Sequence, residues 1–543
     1  MATRDAAAAP RRVPVVVVGG GPVGLALGNE LGWRGIGCTI FERATGGTPD
    51  FPTCESINAR TMEHMRRWGM AEAMRDAGFP PDIPRNVRFV TRVLGHELLC
   101  FERPSNRGFQ TSLAQVTPEG GIWCPRMLFE PVLRRELGRY PGVSLEQGCE
   151  VAGFTQDEDG VDVEVLRLAD GTTEMWRADY LIACDGAAST TRKSLGIALA
   201  GAFAEGHNVT VYFESSALRE RLASRPGVMM DIVNPDGRAN LSSVDGRDRW
   251  RLIEYAQPGQ ALDPERRIRQ ALGEDLPLTV IAAKPWAGHR VVAERFRDRR
   301  VFLAGDAAHL LWPRGGFGMN TGIGDVVDLG WKIGAVLAGW GGDELLDSYE
   351  IERRPVASRN VDEAASNRAE EAGLPVPPDI EADTPAAAEA RKVLADIIRE
   401  RRAKEWNSMG IQLGYAYDRS PICVPDGTVA PPASATDYAP STRPGVRAPH
   451  AWLEPGRSTL DLYGRGFVLL SFGAGHDAAT LLDAARQRGV PMQHIEIDDP
   501  GVASLYERHL VLVRPDGHVA WRSDGAPANA LRVIDRVRGA AAA

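Results

Sequence analysis

The chain has 543 residues, 43% of them hydrophobic and 25% charged, which is typical of a globular protein with two to four domains of about 150 residues. Its 63 basic and 72 acidic residues leave a net charge of -9, which excludes an overall positive field for nucleic acid or anionic lipid. The seven cysteines form no Cys-x-x-Cys pair, and the sequence has neither a long apolar run nor the core of a signal peptide. We therefore expect no metal site, no membrane partner and a cytoplasmic location.

The first elements predict a unit that binds a dinucleotide. After residues 1–12, which we expect to be disordered, Val13–Val18 predicts a buried parallel strand. A turn with the spacing Gly-x-Gly-x-x-Gly then leads into a predicted helix over residues 23–34, where backbone N–H groups and the helix dipole favour a diphosphate. Glu42 ends the next strand, where a carboxylate can accept the ribose hydroxyls of an adenosine. The cofactor-binding candidates in this unit are Gly19, Gly21, Pro22, Val23, Gly24, Glu42 and Arg43.

A second, β-rich layer is predicted for residues 85–115 and 199–285, which carry short alternating strands and turn signals. It interrupts the dinucleotide-binding domain, which takes residues 13–84, 116–198 and 286–370. We expect three of its strands, Val228–Asn234, Ala239–Val244 and Arg249–Tyr255, to line the substrate pocket. The alternation does not decide which strand face is which, and the candidate substrate contacts are Met230, Asp231 and Ser243.

The rest of the chain predicts a linker and a further domain. Prolines and the capping pair Thr384-Pro385 indicate a linker with a bridging helix over residues 371–440. We interpret the charges of residues 399–402 as a solvated helix face, and His64 as a surface side chain. Residues 441–543 predict a separate α/β domain, which contains no cysteine.

Three stretches carry a family resemblance, and they occur in the family's order. Residues 181–192 contain Asp185-Gly186, residues 301–309 contain Gly305-Asp306, and residues 313–325 form a glycine-rich loop. They resemble the motifs of the class A, single-component, FAD-dependent aromatic hydroxylases, which share the fold of p-hydroxybenzoate hydroxylase. Shorter matches over residues 58–63, 352–355, 414–415 and 441–450 are most similar to the subset that hydroxylates chlorophenols, such as 2,4-dichlorophenol 6-monooxygenase, and aromatic polyketides.

The resemblance implies the fold class and the cofactor. The fold would be α/β, with a doubly wound, Rossmann-like FAD domain, an inserted β-rich substrate domain and a C-terminal thioredoxin-like α/β domain. Without cysteine that last domain cannot do disulfide chemistry, and a packing role or a homodimer contact is favoured. The family's FAD-binding positions correspond to Asp185, Asp306, Pro313, Gly316, Gly318, Met319 and Asn320, with Pro313 beside the reactive flavin edge. The resemblance assigns no catalytic side chain.

Two positions depart from the family's pattern. Thr53-Cys54 stands where relatives often carry a basic residue, which removes a charge near the flavin diphosphate. Arg126 replaces a common glutamine at the start of a helix and could supply that charge. The alternative is a surface arginine without a partner.

The resemblance implies an NAD(P)H- and O2-consuming monooxygenase. NADH or NADPH would reduce FAD, and dioxygen would then form a C4a-hydroperoxide that hydroxylates a phenolic or polycyclic aromatic substrate, in natural-product biosynthesis or phenol degradation. The protein contributes binding, orientation and the exclusion of water. Three alternatives stay open: a Baeyer-Villiger attack on a polyketide ketone, an NAD-dependent dehydrogenase, and a non-catalytic flavin-binding interaction or sensor protein.

Overall fold

The computed structural model describes residues 10–47, 51–108, 113–255, 263–473 and 477–540. Residues 1–9 of the segment expected to be disordered lie outside these ranges. The expectation is wrong for Arg11 and Arg12, because the first strand begins at Arg11, and the two residues pair with Trp176 and Arg177 of a neighbouring strand. Within the described ranges, no helix has the length and apolarity that crossing a membrane requires.

The predicted FAD-binding half of the molecule is built on a mixed sheet. Its parallel centre has the order β17-β10-β1-β2-β7, with β16, β9 and β8 added antiparallel. The strands are β1 (Arg11–Val18), β2 (Cys38–Glu42), β7 (Val143–Gln147), β8 (Cys149–Gln156), β9 (Val161–Arg167), β10 (Thr173–Ala183), β16 (Arg297–Asp298) and β17 (Val301–Leu303). Helices over the apolar faces are α1 (Pro22–Trp33), α2 (Ala59–Arg67), α3 (Ala71–Arg75), α4 (Arg126–Glu136), α5 (Thr190–Ser194) and α8 (Gly318–Leu337). The glycine loop, Asp185 and Asp306 all follow the carboxyl ends of parallel strands, the edge at which such sheets bind ligands.

The second sheet has eight strands in the order β18-β15-β11-β14-β13-β12-β4-β5. The strands are β4 (Val87–Val90), β5 (Glu97–Phe101), β11 (Leu199–Glu214), β12 (Met229–Asn234), β13 (Gly237–Ser243), β14 (Arg249–Tyr255), β15 (Thr279–Ala293) and β18 (His309–Leu310). Two helices, α6 (Ser216–Arg221) and α7 (Pro264–Leu272), belong to this part of the chain. The boundary predicted at residue 286 differs from the structure, because β15 pairs with β11 as far as Ala293.

The two faces of the second sheet have different roles. Val209, Val211 and Phe213 of β11 pack into an apolar core with Leu218 of α6 and Ile268 of α7. Because strand side chains alternate, the residues between them face the other way, towards the FAD-binding half. We call this second surface the cleft face.

The C-terminal domain has a four-stranded sheet in the order β22-β21-β23-β24, with β21 and β22 parallel and the other pairs antiparallel. Its strands are β21 (Phe467–Phe472), β22 (Met492–Ile497), β23 (Leu510–Val513) and β24 (Val519–Ser523), and its helices α12 (Ala479–Gln487), α13 (Pro500–Tyr506) and α14 (Ala530–Val537). Two short ribbons, β3 (Ser56–Ile57) with β6 (Ile122–Trp123) and β19 (Trp452–Glu454) with β20 (Arg457–Ser458), lie outside the sheets. The structure thus has an α/β unit where the sequence predicts one; its thioredoxin-like character stays a prediction.

Three helices connect the domains: α9 (Ser348–Ala372), α10 (Pro385–Trp406) and α11 (Met409–Gln412). The Thr384 side chain caps α10 with Pro385 at its first position, as predicted. The solvated-face interpretation is wrong for Arg402, which is 1% exposed because α10 packs that side chain against the second sheet. His64 is also buried, since α2 lies between the FAD-binding half and the C-terminal domain.

Candidate active site

Two positions of the glycine loop, Gly19 and Gly24, leave no room for larger side chains. A Cβ atom on Gly19, which has φ of +101°, would collide with the carbonyl oxygen of Cys184. One on Gly24 would collide with the carbonyl oxygen of Gly19, which is how the helix packs so close to the turn. The helix α1 then begins with Pro22 and has no side-chain cap, so its first N–H groups and its positive end remain available to an anion.

Glu42 stabilises this loop and can also bind a ligand. Its carboxylate accepts hydrogen bonds from the backbone N–H groups of Gly20 at 2.7 Å and Ala44 at 2.8 Å. Each carboxylate oxygen has a second lone pair, so the residue can still accept ribose hydroxyls. Arg43, beside it, is exposed.

Asp306, Arg126 and the glycine loop meet in one crevice. Arg126 begins α4, and its Nη2 lies 3.7 Å from the position of a Cβ on Gly21. Gly305 packs against Val23, with a Cβ position 3.0 Å from that valine's Cγ2. The Asp306 side chain is exposed, yet surrounding protein raises the pKa of its carboxyl, an effect that nearby His309 and Arg126 oppose. An exposed carboxylate in a low-dielectric crevice fits the hydroxyl groups of a ribityl chain, which can donate hydrogen bonds to it.

Asp185 lies on the same side of the loop. Its Oδ2 accepts a hydrogen bond from the backbone N–H of Thr191 at 3.1 Å, which makes it a partner of the helix α5. Its Oδ1 is buried and has no partner among the described residues. A buried acceptor of this kind fits a bound polar group, and with the uncapped helix and Asp306 it supports FAD as the ligand.

The flavin loop, residues 312–318, is fixed from several sides. Gly315 and Gly316 have φ of +83° and +68°, which glycine adopts without strain. Asn320 ties the loop to the ribbon strand β3, accepting from the N–H of Asn58 and donating to the carbonyls of Ser56 and Gly316. The helix α8 begins at Gly318 without a side-chain cap, so its positive end favours negative charge nearby. Pro313 is exposed, and Met319 is buried in the core.

Trp312 anchors the loop on the second sheet. Gly206 of β11 and Gly288 of β15 form a cross-strand pair, and the indole of Trp312 lies over both, where any side chain would collide with it. The ring also contacts Trp286 at 6.2 Å between centroids. Because Trp312 precedes Pro313, this contact sets the distance between the flavin loop and the cleft face.

Asp325 explains why two distant motifs occur together. It is completely buried, and its carboxylate binds His309 Nε2 at 2.8 Å, the N–H of Gly305 at 3.2 Å and Arg353 Nε at 2.9 Å. Arg353 and His309 hold the pKa of this carboxyl below its ordinary value despite burial. These residues therefore position the strand end that carries Asp306.

The three residues predicted to contact the substrate have different environments in the second sheet. Met230 lies in the apolar core behind the sheet, so this candidate does not face the cleft. Ser243 closes a turn, accepting from the N–H of Gly246 at 3.0 Å, and its carbonyl accepts from Trp123 Nε1. Asp231 is on the cleft face, where it accepts from Asn240 at 2.7 Å and from Arg314 at 3.2 Å. The strand register determines which face of the sheet each side chain occupies, and a single sequence does not reveal the register.

Sequence reasoning missed the charge cluster of Arg314. This residue of the flavin loop forms ion pairs with three acidic side chains, Asp231 of β12, Glu371 of α9 and Glu405 of α10. Glu405 also accepts from the N–H of Gly315 at 3.2 Å and pairs with Arg402. The signal was present as an arginine among the loop's glycines, but its partners come from three separate segments of the chain.

Comparisons with known proteins agree with this geometry. The family described as "FAD binding domain" matches residues 12–364, and the family "Aromatic-ring hydroxylase, C-terminal" matches residues 441–541. The chain belongs to the FAD-dependent aromatic hydroxylases. It is 34% identical to the tetracenomycin B2 monooxygenase-dioxygenase of Streptomyces olivaceus, over 97% of this chain and 98% of that protein.

Two solved structures show the same architecture as this hydroxylase. The rebeccamycin biosynthetic enzyme RebC with reduced flavin is 39% identical, with a TM-score of 0.92 over 98% of this chain and 100% of that one. The flavin-dependent monooxygenase PieE, in complex with FAD and substrate, is 31% identical with a TM-score of 0.89 and the same coverage. This member of the family is therefore an FAD-dependent monooxygenase with NAD(P)H as co-substrate, as the sequence predicted, and the dehydrogenase alternative is wrong.

Cys54 offers a direct test of where FAD binds in this hydroxylase. Cys54 is exposed to solvent in the crevice near Asp306 and Arg126, and the surrounding protein and the Asp306 charge disfavour the thiolate, which raises the pKa of the thiol to about 11. We expect maleimide to label Cys54 slowly in the apoprotein, because little of the thiol is ionised, and more slowly still after FAD is added, because the cofactor covers the crevice. Peptide mass spectrometry measures both states, with half-buried Cys100 of β5 as the internal control. Equal labelling of Cys54 with and without FAD would place the cofactor elsewhere.

Proposed function

We propose that this monooxygenase hydroxylates a planar, polycyclic phenol of the aromatic polyketide kind, in the cytoplasm. The observation that carries this is the position of the cleft face: a broad sheet surface with aromatic side chains lies opposite the flavin loop, and Trp286 and Trp312 extend from one to the other. The names of the tetracenomycin monooxygenase and of other relatives, such as the aklavinone 12-hydroxylase of Streptomyces purpurascens, point to the same substrate class.

The chemistry divides between cofactor and chain. FAD, when bound, supplies the reaction with NAD(P)H and dioxygen. The chain's own residues would hold it: the glycine loop and Arg126 at the diphosphate, Asp306 at the ribityl hydroxyls, and Gly316, Gly318, Met319 and Asn320 at the ring. The uncapped end of α8 would stabilise negative charge on that ring.

The test is a panel of phenols with purified protein loaded with FAD. We expect a yellow protein whose NAD(P)H oxidation accelerates with a polycyclic phenol, and a product that has gained one oxygen atom from labelled dioxygen. An ester product would instead favour Baeyer-Villiger oxidation of a ketone. Protein that retains FAD but responds to no aromatic would favour the non-catalytic flavin-binding alternative, and protein that stays colourless in excess FAD would contradict both.

A further inference from the structure

Asn208 of β11 is a buried amide that has no hydrogen-bond partner among the described residues. The residue is 1% exposed, and neither its Nδ2 nor its Oδ1 has a hydrogen-bond partner in the described part of the chain. Its neighbour Val209 belongs to the core behind the sheet, so Asn208 is on the cleft face. Tyr255 of β14 and Trp286 of β15 stand opposite it on the two adjoining strands.

Asn367 of α9 has the same property. It too is 1% exposed, with both amide atoms unpartnered among the residues described. Ala364 and Glu371, about one turn to either side, share its helix face. Ala364 packs against Trp312 and Phe317, and Glu371 pairs with Arg314, so this helix face lies against the flavin loop.

The two asparagines occupy one junction between α9 and the sheet. Arg368, next to Asn367, lies over the ring of Tyr255 at 4.0 Å and over Trp312 at 5.4 Å. Tyr255 is the cross-strand neighbour of Asn208. The Tyr255 hydroxyl also donates to Glu371, which shares the helix face of Asn367, so both amides neighbour groups that contact the same tyrosine.

Other buried asparagines nearby are satisfied, which makes these two unusual. Asn240 donates to Asp231 at 2.7 Å, and Asn360 donates to Thr321 at 2.8 Å. Asn234, at the end of β12, donates to the carbonyl of Thr91 and accepts from the N–H groups of Asp236 and Gly237. A buried polar atom without a partner lowers stability, and a ligand that supplies the missing hydrogen bonds is one explanation for such an atom.

We propose that Asn208 and Asn367 are specificity-determining residues that bind a donor and acceptor edge of the substrate: a ring carbonyl with a hydroxyl or N–H group beside it. An amide matches such an edge because it offers both N–H groups and a carbonyl oxygen. Trp286, the cross-strand neighbour of Asn208 on β15, supplies an apolar ring beside this edge. The inference rests on the proposed function and narrows its substrate class.

Ligand binding is the first test. The FAD-loaded protein is titrated, by its flavin absorbance, with phenanthridinone, a planar lactam with N–H beside C=O, and with phenanthrene, which has neither group. We expect the wild type to prefer the lactam, and Asn208→Leu or Asn367→Leu each to lose about tenfold in lactam affinity with phenanthrene affinity retained.

Thermal stability is the second test, and a structural role would give the opposite sign. Asn208→Leu and Asn367→Leu should leave the melting temperature of the ligand-free protein unchanged or raise it, because an unpaired amide is removed. Asn234→Leu is the matched control in the same sheet, and it should lower the melting temperature and leave the lactam preference intact, because its amide is fully bonded.

Two results would overturn the inference. One is a fall in melting temperature for both cleft variants as large as that of Asn234→Leu; the other is a wild type that binds lactam and hydrocarbon equally. A wild type that hydroxylates a phenol without this preference keeps the proposed function and loses the inference alone. Failure to retain FAD contradicts the proposed function itself, and the melting temperatures still decide whether the amides are structural.

Discussion

Replacing Arg514 with methionine is expected to destabilise the protein by about 3–5 kcal/mol, because it leaves buried carboxylates without their cation. Arg514 is completely buried in the C-terminal domain and binds Glu352 at 2.6 Å, Asp516 at 2.7 Å and Asp328 at 3.1 Å. After the change only Lys332, which contacts Asp328 and Glu352, balances these three acids within the cluster. Urea denaturation followed by flavin and tryptophan fluorescence measures the loss.

The control for this prediction is Arg508→Met in the same domain. Arg508 pairs with Asp524 at 3.1 Å, but both side chains are about half exposed, and such pairs contribute about 0–1 kcal/mol. A loss in Arg514→Met no larger than that of the control would contradict the expectation that Arg514 balances these buried acids. It would also mean that the acids are neutralised in some other way.

Replacing Arg314 with methionine is the second large change that we expect, and it affects function as well as folding. The substitution leaves Asp231 and Glu405 with Arg402, and Glu371 with half-buried Arg368, which should cost about 3–5 kcal/mol. Because Arg314 is joined to Pro313 and Gly315, the flavin loop loses an anchor to β12, α9 and α10. We expect weaker FAD retention and less product formed per NAD(P)H oxidised.

Two variants separate this positioning role from a general loss of stability. Arg314→Lys keeps the charge but cannot span the same acids, so it should recover much of the stability and less of the product yield. Arg290→Met on β15 removes an exposed pair with Asp362 of α9 and should change neither the stability nor the product yield. Full product yield and full FAD retention in Arg314→Met would show that the cluster does not hold the loop.

The sequence predicted the parts of the site that depend on backbone. Gly19, Gly24, Gly315 and Gly316 occupy positions where the backbone is crowded or left-handed, and such demands leave a local pattern of glycines. Strand ends carrying Asp185 and Asp306 were likewise readable, because a buried parallel strand is a continuous apolar run. The FAD-binding fold and the monooxygenase function followed from these elements and the family resemblance, and the comparisons confirm both.

Side-chain partners across long sequence separations could not be predicted. Met230 and Asp231 are adjacent in sequence, and only the register of β12 shows which of them faces the cleft. Arg402 lies in a highly charged helical segment that is typical of a solvent-exposed face. In the structure, its side chain is buried against Glu405 and Phe89. Arg314 contacts Glu371 and Glu405, which are 57 and 91 residues further along the chain. No local periodicity reports such contacts.

The glycine pair beneath Trp312 makes pocket size adjustable from outside the pocket. A methyl group at Gly206 or Gly288 would lift the indole, and Pro313 would follow because it is covalently attached. A single carbon added behind the tryptophan would thus change the space above the flavin by moving Trp312, without replacing any side chain on the substrate side of the ring. Engineering of this enzyme for larger or smaller ring systems can begin at those two positions.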